Sequence, residues 1–353
     1  MSNIFRSNLV IKMDGKSHSQ TMHISIMGFP KGIKVNKDDI NHDLCKRRPN
    51  MLISNARIES DDYEFLSGIK DSYTTGEELI IVVKNNNYHS DNYNYGTIRP
   101  GHADYPAYIK YGKDYDYRGG GQFSGRLTVL ITILGSLCKE ALKEKGVRIA
   151  SHIEQIGNVY DKSLLYNEEE IDYLHDHLTI DPTSLEKMDE VIKKAKEEGD
   201  SLGGIIEAYA TGVKVGLGED YFGGLEAKIA SLIYSIPGVK GLQFGSFFDV
   251  ANKKGSDYND QMEYIDGKVN FLSNNAGGIN GGLANGNPIY LHVVFRPTAS
   301  IRKEQKSIII DKKDNIKLQI NGNHDACFAY RCGIIVEGMM AIALLDSYLD
   351  ATN

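Results

Sequence analysis

Two segments of this chain are apolar almost all the way round a helix, and they limit the folds open to it. RLTVLITILGSLCKEALKEK, residues 126–145, keeps that character on nearly every side for its first three turns. CGIIVEGMMAIALLDSYL, residues 332–349, is apolar over most of its length. Helices of this kind are buried on most faces, so they belong between layers and not on a surface. The charged stretch 184–200 carries only a narrow apolar stripe and reads as a surface helix; 38–48, stopped by Pro49, and 223–238, stopped by Pro237, read as shorter helices.

Strand signals surround these helices. Residues 4–13 and 22–28 alternate β-branched or apolar with polar residues. ELIIVVKN, 78–85, and PIYLHVVFRPT, 288–298, read as strands, and 203–218 reads as two short ones. Residues 85–95 form a polar loop rich in Asn and Tyr. No regular βαβ alternation appears, which predicts an α+β sandwich. With no linker, low-complexity segment or short-period repeat, residues 1–353 are expected to form a single domain.

Charge and cysteine usage exclude several functions. The net charge of −7 gives no basic excess for nucleic acid. An anionic ligand would need a local cluster, and the candidates are Lys46, Arg47 and Arg48, then Arg99, Arg118 and Arg126. No apolar run approaches the roughly 18 residues of a membrane span, and MSNIFRSNLVIKMDG lacks the long apolar core of a signal peptide. A cytoplasmic protein is expected. Cys45, Cys138, Cys327 and Cys332 are too scattered for a disulfide framework or a zinc spacing and are expected to be buried free thiols.

The stretch with the most chemistry is RPGHADYPAYIKYGKDYDYRGGGQFSGRLT, residues 99–128. Consecutive glycines before a helix let a ligand approach the backbone and leave N–H groups pointing at an anion. GGQFSGRL resembles a P-loop but has Arg126 where Lys is needed and Leu127 where Ser or Thr is needed, so it is not a nucleotide motif. The His175-Asp176-His177 triplet has metal-ligand residue types but no partner cluster in the sequence, and reads as a solvated helix end. Gly216–Gly218 lacks the rest of a dinucleotide fingerprint.

The set as a whole resembles the chorismate synthase family. RPGHADY with KYG and DYRGGG is similar to the family's signature. GKSHS (15–19) stands where the family has GESHG. GFPKGIKVNKDDINHDLCKRRP, GLGEDYFGGLEAKIASLIYSIPGVKGLQFG, SNNAGGINGGLANGNPI, FRPTASI and NHDACFAYRCGIIVEGMMAIALLDSYL follow in family order. The resemblance implies a β-α-β-α sandwich of two antiparallel sheets enclosing core helices, assembled as a homotetramer. It implies a reduced-FMN-dependent carbon–oxygen lyase of the shikimate pathway. The reaction is the trans-1,4-elimination of phosphate from 5-enolpyruvylshikimate 3-phosphate, an anionic cyclohexene, to give chorismate.

Carried over position by position, His18, His102 and Asp325 are the expected catalytic groups. Ser17, Arg47, Arg48, Arg99, Ser124 and Arg126 are the expected substrate contacts. His102, Gly125, Asn274, Asn275, Ala276, Gly277, Arg296, Thr298 and Asp325 are the expected flavin contacts, and no metal is expected. The chain departs from the family pattern at Lys16 for Glu, Ser19 for Gly, Gln122 for Arg, Phe123 for Ser, Leu127 for Glu, Asn275 for His and Asn323 for Arg. MLISNAR, 51–57, replaces an arginine-rich stretch. Each lost charge-assisted hydrogen bond is worth about 1.5–3 kcal/mol, so two alternatives stand beside the family reaction. One is a related elimination on a less anionic ring; for the family reaction itself, Lys16 would restore one of the lost charges from a different direction. The other is a non-catalytic homologue binding flavin or a partner. No fused flavin reductase is visible, so a separate reductase or an anaerobic cell would supply reduced FMN.

Overall fold

The helices Thr128–Lys143 and Gly333–Asp350 lie between two five-stranded antiparallel sheets. The computed structural model describes residues 3–48, 60–85, 95–165, 168–246, 250–320 and 324–350. Thirteen of the sixteen residues of the first helix and fifteen of the eighteen of the second are buried, so neither has a free face. They cross at two glycines. A Cβ on Gly135 would stand 2.4 Å from the Gly338 Cα, so the two backbones touch. The α+β sandwich expected from the sequence pattern, and the two antiparallel sheets enclosing core helices that the resemblance implies, are the observed architecture.

One sheet runs Asn3–Arg6, Val10–Asp14, Thr21–Met27, Leu79–Lys84, Tyr63–Ser67. It turns Met22, Ile24, Ile26, Ile81 and Val83 onto the helices at strand period. The other runs Val239–Phe244, Ile289–Phe295, Gly204–Thr211, Arg148–Ile156, Val159–Tyr160. Its opposite face is covered by Leu164, Ile171, Leu174 and Ile180, packed on Ala150, Tyr209 and Tyr290.

Two sequence expectations are corrected. Residues 4–13 are a hairpin, not one strand. The buried Asp346 carboxylate of the C-terminal helix accepts from Leu9 N and from Ser7 Oγ, both at 2.7 Å, and pins a turn there. Residues 203–218 hold one eight-residue strand, not two. It pairs on both sides, and the chain leaves it at Gly212, where φ is +73°. The thiols are buried as expected at Cys138, Cys327 and Cys332, but Cys45 is exposed, on the outer side of its helix.

The helix Lys37–Arg47 begins where Asn36 accepts from Asp38 N and ends with Arg47 buried in its last turn. It packs on Thr128–Lys143, which sets the direction in which Arg47 points.

Gly135→Val is expected to force the helix pair apart. The chain should lose at least about 3 kcal/mol of stability, the upper end of ordinary overpacking. Thermal denaturation followed by circular dichroism checks this; an unchanged melting temperature would mean the two backbones do not touch.

Candidate active site

The segment 99–128 is folded around its glycines. The helix Asp104–Tyr111 and a 3-10 turn lead to Arg118–Phe123, in which Gly119, Gly120 and Gly121 have φ of +56°, +86° and +53°. A side chain at Gly119 would strike Ser17 Oγ at 2.5 Å and His18 Nε2 at 2.8 Å. Left-handed backbone and close approach together leave room only for glycine. The Ser17–His18 turn sits on this run through Ser17 N to Gly121 O at 3.0 Å, and Asn85 Nδ2 donates to the Ser17 and Ser19 carbonyls.

Beside the glycines opens a cavity of about 270 Å³. Of the expected residues, Arg47, His102, Ser124, Gly125, Arg296, Thr298 and Asp325 line it. So do the first turns of both core helices, at Thr128 and at Cys332 and Ile335. Helix N-termini carry partial positive charge and favour an anion here. Among the described residues, Thr298 Oγ1 is buried with no hydrogen-bond partner, and Arg296 stands two residues away on the same wall.

The cations are held by buried carboxylates. Asp61, 2% exposed and at φ +55°, accepts from Arg47 at 3.0 and 3.2 Å and also from Arg126. Burial pulls the Arg47 guanidinium down to about 10 although Asp61 draws it up, and the cations of Arg331 and Arg126 add to the fall. Asp325 accepts from Arg331 at 2.6 Å. Arg99 forms a bidentate pair with Asp104 at 2.7 Å and donates to the Tyr117 carbonyl; it stands behind the cavity and braces the loop. Burial opposes ionisation of Asp104, and the Arg99 fork outweighs it, so the carboxyl lies below its usual range.

His102 is set against Ser300, with Nε2 3.0 Å from Ser300 Oγ. Burial first, then the Arg99 and Arg296 cations, pulls it down to about 4, against Asp104, which acts the other way. His324 also lines the cavity and is lowered by burial and by Arg99.

Several expected residues lie elsewhere. Ser17 and His18 reach the cavity only through Gly119. Arg48 turns into a neighbouring groove and donates to the Ser60 carbonyl. Asn274, Asn275, Ala276 and Gly277 form a separate turn, in which Asp260 accepts from the N–H groups of Asn275 and Ala276. Among the substituted positions, Leu127 is in the core and Phe123 is on the cavity lip, whereas Gln122 and Lys16 do not line it. Lys16 therefore does not restore a charge there; it acts on Asp116 instead. Asn323, residues 51–57 with Arg57, and most of the loop 85–95 lie outside the described residues.

Residues not singled out from the sequence also contribute. Arg331 and His324 stand in the AYRCG and NHD blocks, so the motifs carried a signal for them. Asp61 had none. The His175-Asp176-His177 triplet does have a partner: helix Lys37–Arg47 brings His42 to it.

A family model described as chorismate synthase matches residues 9–349. A Pyrococcus abyssi protein named chorismate synthase is 41% identical over 337 residues, covering 95% of this chain and 94% of its own. Proteins of that name from Korarchaeum cryptofilum and Phocaeicola vulgatus are 37% identical over 348 residues (97% and 96% covered) and 40% identical over 353 residues (98% and 96%). A solved structure described as the crystal structure of chorismate synthase matches with a TM-score of 0.76 at 26% identity, over 97% of this chain and 92% of that one.

His102 is expected to be neutral at pH 7. The unfolded chain takes up its proton near pH 6.5 and the folded one only near 4. The contribution of His102 to stability is therefore full above about pH 6.5 and is lost as pH falls towards 4. A histidine-resolved NMR titration should show its midpoint near pH 4; a midpoint between 6 and 7 would remove the desolvated environment described here.

Proposed function

The chain belongs to the chorismate synthase family, and on that premise we propose how its residues carry out the family's reaction. It is a carbon–oxygen lyase, and the reaction is the trans-1,4-elimination of phosphate from 5-enolpyruvylshikimate 3-phosphate to give chorismate. The observation that carries the assignment of roles is the convergence of Arg47, Arg296, Arg331, His102 and two helix N-termini on one cavity.

Arg47 and Arg331 bind the anionic groups of the substrate, and Arg126, an expected substrate contact that is off the cavity wall, shares Asp61 with Arg47 and braces it. Asp61 and Asp325 keep these arginines oriented before substrate arrives, so little side-chain freedom is lost on binding. Ser17 and His18, packed behind Gly119 of the glycine run, are assigned to the leaving phosphate, with His18 supplying a proton at the leaving oxygen. His102, neutral near pH 7, holds or exchanges a proton at a ring nitrogen. With Nε2 set against Ser300, the nitrogen left for exchange is Nδ1. Arg99 and Tyr115 position this loop through Asp104.

The cavity suits FMN. Glycine walls admit a flat ring against the backbone, and the buried Thr298 hydroxyl beside Arg296 is a donor pair for a phosphate. Ser124, Gly125, Arg296, Thr298, His102 and Asp325 would hold it. Bound reduced FMN supplies electron density towards the breaking C–O bond, with no net redox change. Asn274, Asn275, Ala276 and Gly277, remote from these walls, remain our candidates for a contact made by a neighbouring subunit.

We read residues 1–353 as one catalytic unit, working in the cytoplasm and supplied with reduced flavin by a separate reductase. Among the described residues, no helix is long and apolar enough to cross a membrane. We further propose a homotetramer. The hairpin Met262–Ile265 and Lys268–Phe271 carries Tyr264 79% and Val269 52% exposed, and Phe222 is 98% exposed, which is apolar surface suited to contact between subunits.

Anaerobic assay with dithionite-reduced FMN and 5-enolpyruvylshikimate 3-phosphate should yield chorismate and phosphate in equal amounts. His102→Ala should lower kcat by about 10²–10⁴-fold with the fold retained by circular dichroism; a near-normal rate would take this histidine out of the mechanism. Arg331→Gln should raise KM by at least about tenfold, the loss of one charge-assisted hydrogen bond.

Mass photometry should give a four-subunit mass that falls for the Tyr264→Glu, Val269→Glu double variant. A monomeric wild type would end the tetramer assignment.

A further inference from the structure

The elimination makes no use of His42, His175 or Asp176, yet the fold brings them together across 134 residues of sequence. His42 lies on the helix Lys37–Arg47, and His175 ends the 3-10 turn Tyr173–His175. The His42 Nε2 and His175 Nδ1 atoms each stand 3.0 Å from the same Asp176 Oδ1. Their rings stack with centroids 4.2 Å apart and planes within 5°. The candidate ligand atoms of the three residues lie within 4.8 Å of one another.

Two imidazole nitrogens and a carboxylate oxygen suit a borderline divalent ion such as zinc. Zinc takes nitrogen at about 2.0–2.1 Å and carboxylate oxygen at about 2.0–2.2 Å, with a fourth position open to water. At 3.0 Å the carboxylate oxygen already stands from each nitrogen at close to the separation of two ligands on one zinc ion, roughly 3.3 Å for tetrahedral bonds of that length; aiming both nitrogens at one ion takes side-chain rotations that tilt the two stacked rings out of parallel. The side chains are 31%, 61% and 68% exposed, so they are free to make them and an ion can enter from solvent. His177 is a built-in control. Its ring stacks on Tyr173 at 3.7 Å and its Nδ1 lies 2.8 Å from the Tyr173 carbonyl oxygen, so it turns away from the cluster.

The position has a mechanical consequence. His42 and Lys46, one helical turn apart, reach the same segment, since Lys46 Nζ donates to the Leu174 carbonyl at 3.0 Å. Arg47 is five residues beyond His42, about 140° round the helix at 100° per residue, and faces the catalytic cavity. Fixing His42 to the segment therefore fixes the rotation of the helix that carries Arg47.

We propose that His42, His175 and Asp176 form a divalent-metal site of the zinc class, which staples the helix Lys37–Arg47 to the segment that covers the second sheet. Isothermal titration of EDTA-treated, full-length protein with zinc chloride should show about one ion per chain. His42→Ala and His175→Ala should each weaken binding by at least about tenfold, because removing a ligand costs more than removing a group that merely orients one. His177→Ala should leave it unchanged. Zinc should raise the melting temperature of the wild type and not that of His42→Ala. Should either variant fold poorly, anomalous diffraction at the zinc edge from zinc-soaked wild-type crystals locates the ion directly, with a peak expected among the three side chains. Absence of binding, binding kept in both histidine variants, or an anomalous peak elsewhere would each overturn the proposal.

Discussion

The contact between Gly135 and Gly338 is the constraint on which the rest of the molecule depends. Two helices that bury almost every residue can approach this closely only where neither carries a side chain. Their crossing leaves apolar surface on both outer sides, and two sheets, one on each side, cover it. It also brings the first turn of each helix to one cavity. A packing requirement of the core thus assembles two N-terminal dipoles at one place, a placement that favours an anionic ligand there.

Concentrating arginines at such a point is unfavourable unless their charge is balanced. Burial already lowers Arg47, and Arg331 and Arg126 lower it further. Asp61 and Asp325 offset this by accepting from three guanidinium groups. Neither carboxylate leaves its arginines free to wander, so the site is organised before substrate enters. Burial, with the Arg99 and Arg296 cations, holds His102 neutral, which leaves a ring nitrogen unprotonated near pH 7.

Among the described residues, the substitutions Gln122, Phe123 and Leu127 matter less than their residue types suggest. Loss of arginine at Gln122 reads in sequence as a weakened anion site, but Gln122 is not on the cavity wall. Leu127 is a core residue, and Phe123 shares the cavity lip with Tyr111 and Tyr115 nearby. Arg331 stands on the wall and supplies a further cation there. Near-full-length similarity to proteins named chorismate synthase agrees with a site that retains its cations.

The local chain determined the two apolar helices, the strands 79–84 and 289–295, the helix ending at Arg47 and the glycine run, because periodicity, proline stops and glycine are short-range signals. The motif blocks likewise carried His102, Ser124, Arg296 and Asp325 to the cavity they line. Other features came only with tertiary structure. A hairpin replaces one strand at residues 7–9 because a carboxylate 337 residues away accepts from Leu9 N. Asp61 gathers Arg47 and Arg126, and His42 meets His175, by contacts that no spacing encodes. Arg99 and Arg48 have the residue type of substrate ligands, yet one braces a loop and the other faces a different groove. The direction of a charged side chain is set by whichever partner the packed core brings within reach, and that partner lies outside any local window.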